Sequence, residues 1–250
     1  MLYIEKKCSS ALSNQLKQAQ KSDHWATISE TDSKGLRSSF DLVAPKPTLR
    51  DSIFAEQHGL CAYCMRLLPK GKSFTLEHRK PLSRYKSTGL DYQNLFGVCD
   101  GGAESSHKEK MTICCDASKG DQEISFDPCN KNHVDQLSYT KDGFIKAVDN
   151  PVFTHELTYV LCLNGKFTVD GTFKGDTYTH LVANRKAVYA VCKEKFENLS
   201  KKNKLSSATM QRIMRELLSK AVYDEYVGVM LYFYQKKYEQ LCKQENISKK

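Results

Sequence analysis

Two cysteines stand at the spacing that a tetrahedral metal site requires. Cys61-Ala62-Tyr63-Cys64 is a Cys-x₂-Cys pair, and two thiolates so placed on a tight turn reach one ion together, supplying half of such a site. Thiolates suit Zn²⁺, which is borderline-soft and has no d-electron preference for geometry. The other half must come from downstream, where Cys99 and the doublet Cys114-Cys115 stand. A redox pair would open a helix inside a βαβ unit, and no such pattern flanks Cys61. Cys8, Cys129, Cys162, Cys192 and Cys242 lack such spacing and read as buried thiols.

Between the two halves of this cysteine set lies Thr75-Leu76-Glu77-His78-Arg79-Lys80-Pro81. Asn94 follows in Tyr92-Gln93-Asn94-Leu95-Phe96-Gly97-Val98-Cys99, and then comes Cys115-Asp116-Ala117-Ser118-Lys119-Gly120. A single histidine is most often a satisfied core or surface residue. A Glu-His pair that closes a strand, runs into x-x-Pro and is enclosed by four ordered cysteines is a stronger pattern. The order Cys-x₂-Cys, acid-His-x-x-Pro, Asn-Leu-x-x-x-Cys, Cys-(Asn/Asp)-x-x-Lys-Gly resembles the HNH (ββα-metal) endonuclease motif, over about residues 48–130. Tyr3-Ile4-Glu5-Lys6-Lys7, the long gap before Cys115 and the later Asp127-Pro128 are similar to the PtuB-type nucleases of Septu and retron-linked antiphage defence.

The resemblance implies roles. His78 aligns with the general base that takes a proton from the attacking water, a task suited to an imidazole with a pKa near 6.5. Glu77 and Asp116 align with the two acidic ligands of a catalytic cation, the first ending a strand and the second on the first turn of the ββα helix. Two carboxylates with water and phosphate oxygens suit Mg²⁺ or Mn²⁺. Asn94 aligns with the residue that holds the loop presenting the histidine. Arg79, Lys80 and Lys119 become candidate phosphate contacts. The substrate implied is nucleic acid, and the partner is a PtuA-type ATPase, with a retron reverse transcriptase and its RNA/DNA in retron-linked systems. Two departures stand out. Fifteen residues, Asp100–Cys114, separate Cys99 from Cys115 where the motif has a second Cys-x₂-Cys. Their Gly101-Gly102 and Ser105-Ser106-His107 predict a looped-out insert. Cys115 is the preferred fourth zinc ligand over Cys114, because it puts Asp116 and Lys119 in register. Glu77 and Asp116 also replace the commoner Asp and Asn/His. His107 and His133 read as solvated loop residues rather than ligands.

These groups need elements to position them. The fold class expected is α+β: a zinc-braced ββα nuclease core at 48–130, an N-terminal extension with a helix at 1–47, and a β-hairpin with a helical C-terminal region at 131–250. A ββα unit of some 40 residues buries little apolar surface, and structural zinc contributes on the order of 10–16 kcal/mol to such modules. A helix is expected at Ser10–Lys21. Ala44-Pro45-Lys46-Pro47 reads as a breaker, followed by a short helix capped at Thr48 and ended by Gly59. Asp142-Gly143 signals a turn. Thr158–Leu163 reads as a strand returning through Asn164-Gly165 to Lys166–Val169. Met210, Ile213, Met214, Leu217, Leu218, Ala221 and Val222 mark one helix face. The stretch from Tyr226 to Cys242 reads as another helix, with Gly228 separating or kinking it.

The chain has 250 residues and a formal charge of +9. The excess is concentrated: residues 185–250 carry fifteen Lys/Arg against seven Asp/Glu. A basic region of that kind fits a polyanion or a partner surface. The start lacks the apolar run of a signal peptide, so a cytoplasmic, reducing location is expected, which favours metal ligation over disulfides. Two rival functions are weighed. A ribonuclease for a structured RNA such as tRNA would use the same residues. A non-catalytic zinc module explains the cysteines and the charge, but not the registered Glu77-His78, Asn94 and Asp116.

Overall fold

The computed structural model describes residues 1–70, 74–103 and 112–247. The chain is mixed α+β, with small antiparallel hairpins rather than one large sheet. Helix α1 (Ser10–Lys21) runs where its sequence predicts. The Ser9 side chain accepts from the Leu12 N–H, and Leu12, Leu16 and Ala19 bury one face. Short α2 (Asp23–Ala26) and α3 (Ser33–Val43) follow, and α3 buries Leu36, Ser39 and Phe40.

Helix α4 (Lys46–Glu56) begins earlier than the Pro-rich sequence predicts. Pro47 lies in its first turn, where the missing N–H would have had no partner in any case, and Thr48 does not cap it. His58 and Gly59, at φ 50° and 75°, then turn the chain into the Cys61 loop.

Strands β1 (Thr75–His78) and β2 (Leu95–Val98) pair antiparallel, with His78 opposite Leu95 and Glu77 opposite Phe96. Helix α5 (Cys115–Lys119) comes next. Gln57 locks α4 to this hairpin. Its buried amide donates to the carbonyls of Leu60 (2.7 Å) and Gly97 (2.8 Å) and accepts from the Gly97 N–H (2.8 Å). Gln57→Leu leaves buried backbone groups without these partners. Chemical denaturation of the variant should show a loss of about 2–4 kcal/mol.

After α6 (Lys131–Asp135), strands β3 (Leu137–Tyr139) and β4 (Ile145–Ala147) form a hairpin across the turn that Asp142-Gly143 signals. Gly143 has φ 90°, and a Cβ there would lie 2.0 Å from the Val182 carbonyl oxygen. The strand expected at Thr158–Leu163 does not form. Helix α7 (Pro151–His155), capped by Asn150, runs into a π-helical turn at Glu156–Val160. Two facts override the β-branched composition. Leu157, Val160 and Leu161 are all buried at helical spacing. The Glu156 carboxylate accepts from both the N–H and the hydroxyl of Ser125 (2.7 Å each) and from the Phe126 N–H (2.9 Å). The return strand is short: β5 (Lys166–Phe167) pairs with β6 (Phe173–Gly175).

Three helices close the chain: α8 (Leu181–Lys201), α9 (Ser207–Leu218) and α10 (Val227–Ile247). The apolar stripe from Met210 ends with α9 at Leu218, so Ala221 and Val222 lie beyond it. Gly228 sits in the first turn of α10, close against Met65 and the Met1 carbonyl, and does not divide the helix, which runs on to Ile247. Arg185 of α8 is almost fully buried and donates to the carbonyls of Gly143 (2.7 Å) and Leu163 (2.6 Å).

The three segments expected from sequence share one core, running from Met1 and Ile4 through Leu49, Phe96 and Leu137 to Tyr226 and Val229. A smaller cluster joins Cys192, Met210, Ile213 and Phe233. The N-terminal residues are built in rather than appended. Lys6, buried beside the Tyr92 and Phe96 rings, donates to the Leu95 carbonyl. Among the described residues no helix is long and apolar enough to cross a membrane.

Candidate active site

Cys61 and Cys64 sit on a turn closed by Leu60 and Leu67, where the Cys61 N–H donates to the Arg66 carbonyl (2.8 Å) and the Met65 N–H returns to the Cys61 carbonyl (3.1 Å). The Ala62 N–H bonds the Gly97 carbonyl at 3.0 Å, which ties the turn to β2. Cys99 follows β2 directly. Cys115 opens α5, with φ 56° and its N–H on the Leu161 carbonyl (2.9 Å). Gly101 sets the approach, since a Cβ there would lie 1.9 Å from the Cys114 carbonyl oxygen.

The four thiols of Cys61, Cys64, Cys99 and Cys115 are buried, and their sulfurs lie within 4.8 Å of one another. Pairs stand at 3.6 Å (Cys64–Cys99), 3.7 Å (Cys99–Cys115) and 3.9 Å (Cys61–Cys115). A tetrahedron with Zn–S of about 2.3 Å has edges of about 3.8 Å, so this set fits zinc. Cys114 is not part of it. Its sulfur lies 3.6 Å from the Thr179 hydroxyl. The purified chain should carry about one Zn²⁺, and elemental analysis of Cys99→Ser should show the ion absent.

Beside the cluster, a cleft of about 710 Å³ is lined by Glu77, His78, Asp116 and Lys119, with Arg37 and Lys34 from α3. The β1–β2 hairpin brings Glu77 and His78 to its floor, and the first turn of α5 brings Asp116. Glu77 is buried. Its carboxylate meets the Lys119 ammonium at 2.8 Å and accepts from the Tyr63 hydroxyl at 3.2 Å, and Asp116 comes within hydrogen-bonding reach. Burial and the neighbouring Asp116 push Glu77 up to about 8, against the pull of Lys119. One ammonium therefore does not offset two close carboxylates, and the pair suits a hard divalent cation.

His78 is 2% exposed, and its ring lies edge-on to Phe40 at 4.6 Å. Burial pushes its pKa down to about 4, so the imidazole is neutral at neutral pH. Nε2 is 2.9 Å from the Gly89 carbonyl, which can only accept, so Nε2 carries the proton. Nδ1 then holds the free lone pair and has no partner among the described residues. Asn94, also buried, accepts from the Lys80 N–H (2.7 Å) and donates to the Lys80 (3.0 Å) and Thr88 (3.2 Å) carbonyls. It thereby joins the end of β1 to the loop that carries Gly89.

The basic candidates part company. Lys119 is 1% exposed, its ammonium held by Glu77 and the His78 carbonyl (3.1 Å), so it is an internal counter-charge rather than an open phosphate contact. Arg79 bridges Asp127 (3.3 Å) and the Ile124 carbonyl (3.3 Å), which ties β1 to the segment after α5. Lys80 is half-buried near the Tyr85 ring. His133 is not a solvated loop residue: it lies on α6, packs on Phe153 and accepts from the Asp127 N–H at 3.1 Å. His107 and Ser105-Ser106 lie outside the described residues. Of the five thiols read as buried, only Cys192 is fully so. Lys119→Met removes the ion-pair partner of buried Glu77. Thermal denaturation should show a loss of about 3–5 kcal/mol, reduced when Mn²⁺ is added.

No family model matches the sequence, and no curated protein matches it. A larger groove of about 1010 Å³ runs between the N-terminal residues and α10, lined mainly by apolar and tyrosine side chains. The chemistry-bearing groups gather in the smaller cleft. That α3 forms one wall of this cleft is not evident from the sequence, where the only signal is the i, i+3 spacing of Lys34, Arg37 and Phe40.

Proposed function

We propose that this chain is a metal-dependent endonuclease of the HNH type. The observation that carries this reading is the joint placement of Glu77, His78 and Asp116 on one cleft, built from an antiparallel hairpin and a short helix that the four cysteines hold together. Glu77 and Asp116 would hold Mg²⁺ or Mn²⁺, which when bound stabilises charge on a scissile phosphate and its leaving oxygen. His78 accepts the proton of the attacking water at Nδ1, and the Gly89 carbonyl fixes the tautomer that leaves this atom basic. Asn94 keeps Gly89 and His78 in register. Lys119 holds Glu77 in place.

A non-catalytic zinc module needs no buried imidazole with a free lone pair beside two carboxylates. DNA and structured RNA, including tRNA, both present the phosphodiester that these groups address. A defence role beside a PtuA-type ATPase, with a retron reverse transcriptase in retron-linked systems, rests on the motif resemblance. The basic C-terminal helices contribute nothing to the cleft lining and are free to serve such a partner or flanking nucleic acid. Titration calorimetry of the zinc-loaded protein should find one Mn²⁺ site beyond the zinc, abolished in Asp116→Ala. Sequencing of ends cleaved in the presence of the partner should identify the substrate. Mn²⁺ binding unchanged in Asp116→Ala would remove the cation from this cleft.

A further inference from the structure

The cleft has two walls, and the motif resemblance accounts for only one. Part of the lining comes from α3, which belongs to the N-terminal segment. Phe40 of this helix meets the His78 ring edge-on. Arg37 and Lys34 precede Phe40 at three-residue steps, which makes each a neighbour of the next on the helix surface. Both side chains line the cleft with Glu77, His78 and Asp116. Both are exposed, and neither forms an ion pair or a side-chain hydrogen bond among the described residues. The other cation of the cleft, Lys119, is buried and held by Glu77 and the His78 carbonyl. Arg37 and Lys34 are therefore the positive charges on the cleft lining that can receive an incoming anion.

We propose that Arg37 and Lys34 form a phosphate clamp for the nucleic-acid backbone, holding it over the carboxylate–histidine floor. This rests on the endonuclease reading and adds a binding wall to it. Arg37 is one turn from Phe40, and its planar guanidinium can grip two phosphate oxygens at once. Lys34, one turn further out, meets the adjacent phosphate as a point charge. Neither residue supports the core, since the helix is anchored by buried Leu36 and Phe40. Their substitution should leave the fold and the zinc untouched.

The test is the salt dependence of binding, measured with Ca²⁺ in place of Mg²⁺. The probes are a fluorescent DNA duplex and a single-stranded RNA, and the unmodified chain is compared with Arg37→Ala, Lys34→Ala and Arg37→Lys. For every phosphate that an alanine variant no longer neutralises, the slope of log K against log salt should fall by about 0.9 for the duplex or about 0.7 for the single strand. Affinity at low salt should fall at least severalfold in Arg37→Ala, with partial recovery in Arg37→Lys. Cleavage at saturating substrate should change less than KM. An unchanged slope and KM in both alanine variants would overturn the clamp while leaving the nuclease reading standing. A slope reduced as expected, in a chain that cleaves neither DNA nor RNA, would support the clamp and overturn the nuclease reading. Salt-independent binding, or none, would overturn both.

Discussion

His78→Ala should reduce phosphodiester cleavage by about 10²–10⁴, the usual contribution of a positioned general base, with the four-cysteine zinc site still filled. The histidine is not one of the four ligands of the cluster. Its removal leaves a cavity beside Phe40, so a modest drop in melting temperature should accompany the fall in rate, and assays should run well below it. His78→Gln fills part of the space and should be as inactive. The ligand variants should behave differently. Glu77→Gln keeps the shape of the side chain, and Asp116→Ala removes one oxygen donor from an accessible wall. Excess Mn²⁺ should recover part of the rate in both, because a weakened site is refilled by mass action. No concentration of Mn²⁺ should restore His78→Ala. Steady-state rates across a Mn²⁺ series separate the two classes, and rescue of the histidine variant would remove His78 from the role of base.

Cys61→Ala should unfold the core. Structural zinc contributes about 10–16 kcal/mol in small modules, comparable with the whole stability of a typical domain, about 5–15 kcal/mol. Here the cluster joins the Cys61 turn, the end of β2 and the start of α5, so removing one sulfur releases all three. Circular dichroism and proteolysis should show loss of structure in Cys61→Ala. Cys114→Ala, one residue from a ligand but outside the cluster, should stay folded with full zinc. If Cys61→Ala were to fold with an unchanged melting temperature, the cluster would not brace this core.

What the sequence made legible was local and covalent in origin. The Cys-x₂-Cys spacing and the motif register that favoured Cys115 lead to the cluster found in the fold. The helix at Ser10–Lys21 announces itself through a serine cap and an apolar face, and the β3–β4 hairpin through Asp142-Gly143. What was not legible depends on distant partners. The π turn at Glu156–Val160 has strand-like composition, and only the Ser125 and Phe126 donors around Glu156 make it helical. Lys119 looked like an open cation because nothing in its neighbourhood reveals that Glu77, far away in sequence, would bury it. The place of α3 beside His78 is set by tertiary packing alone. For the same reason the C-terminal region is not separable. Tyr223 and Tyr226 bond the His58 and Met65 carbonyls through their N–H groups (3.0 and 3.1 Å), so its removal would open the main core.

The most direct measurement is cleavage of supercoiled plasmid and of a tRNA pool by the purified, zinc-loaded chain, alone and with a PtuA-type ATPase, the partner proposed above. Each reaction is run with Mg²⁺, with Mn²⁺ and with EDTA at a dose that leaves metal at the four-cysteine site in place. An HNH-type site predicts cleavage of at least one substrate that requires the added cation and stops with EDTA. Intact substrates under every condition, or cleavage that proceeds unchanged in EDTA with zinc retained, would contradict it.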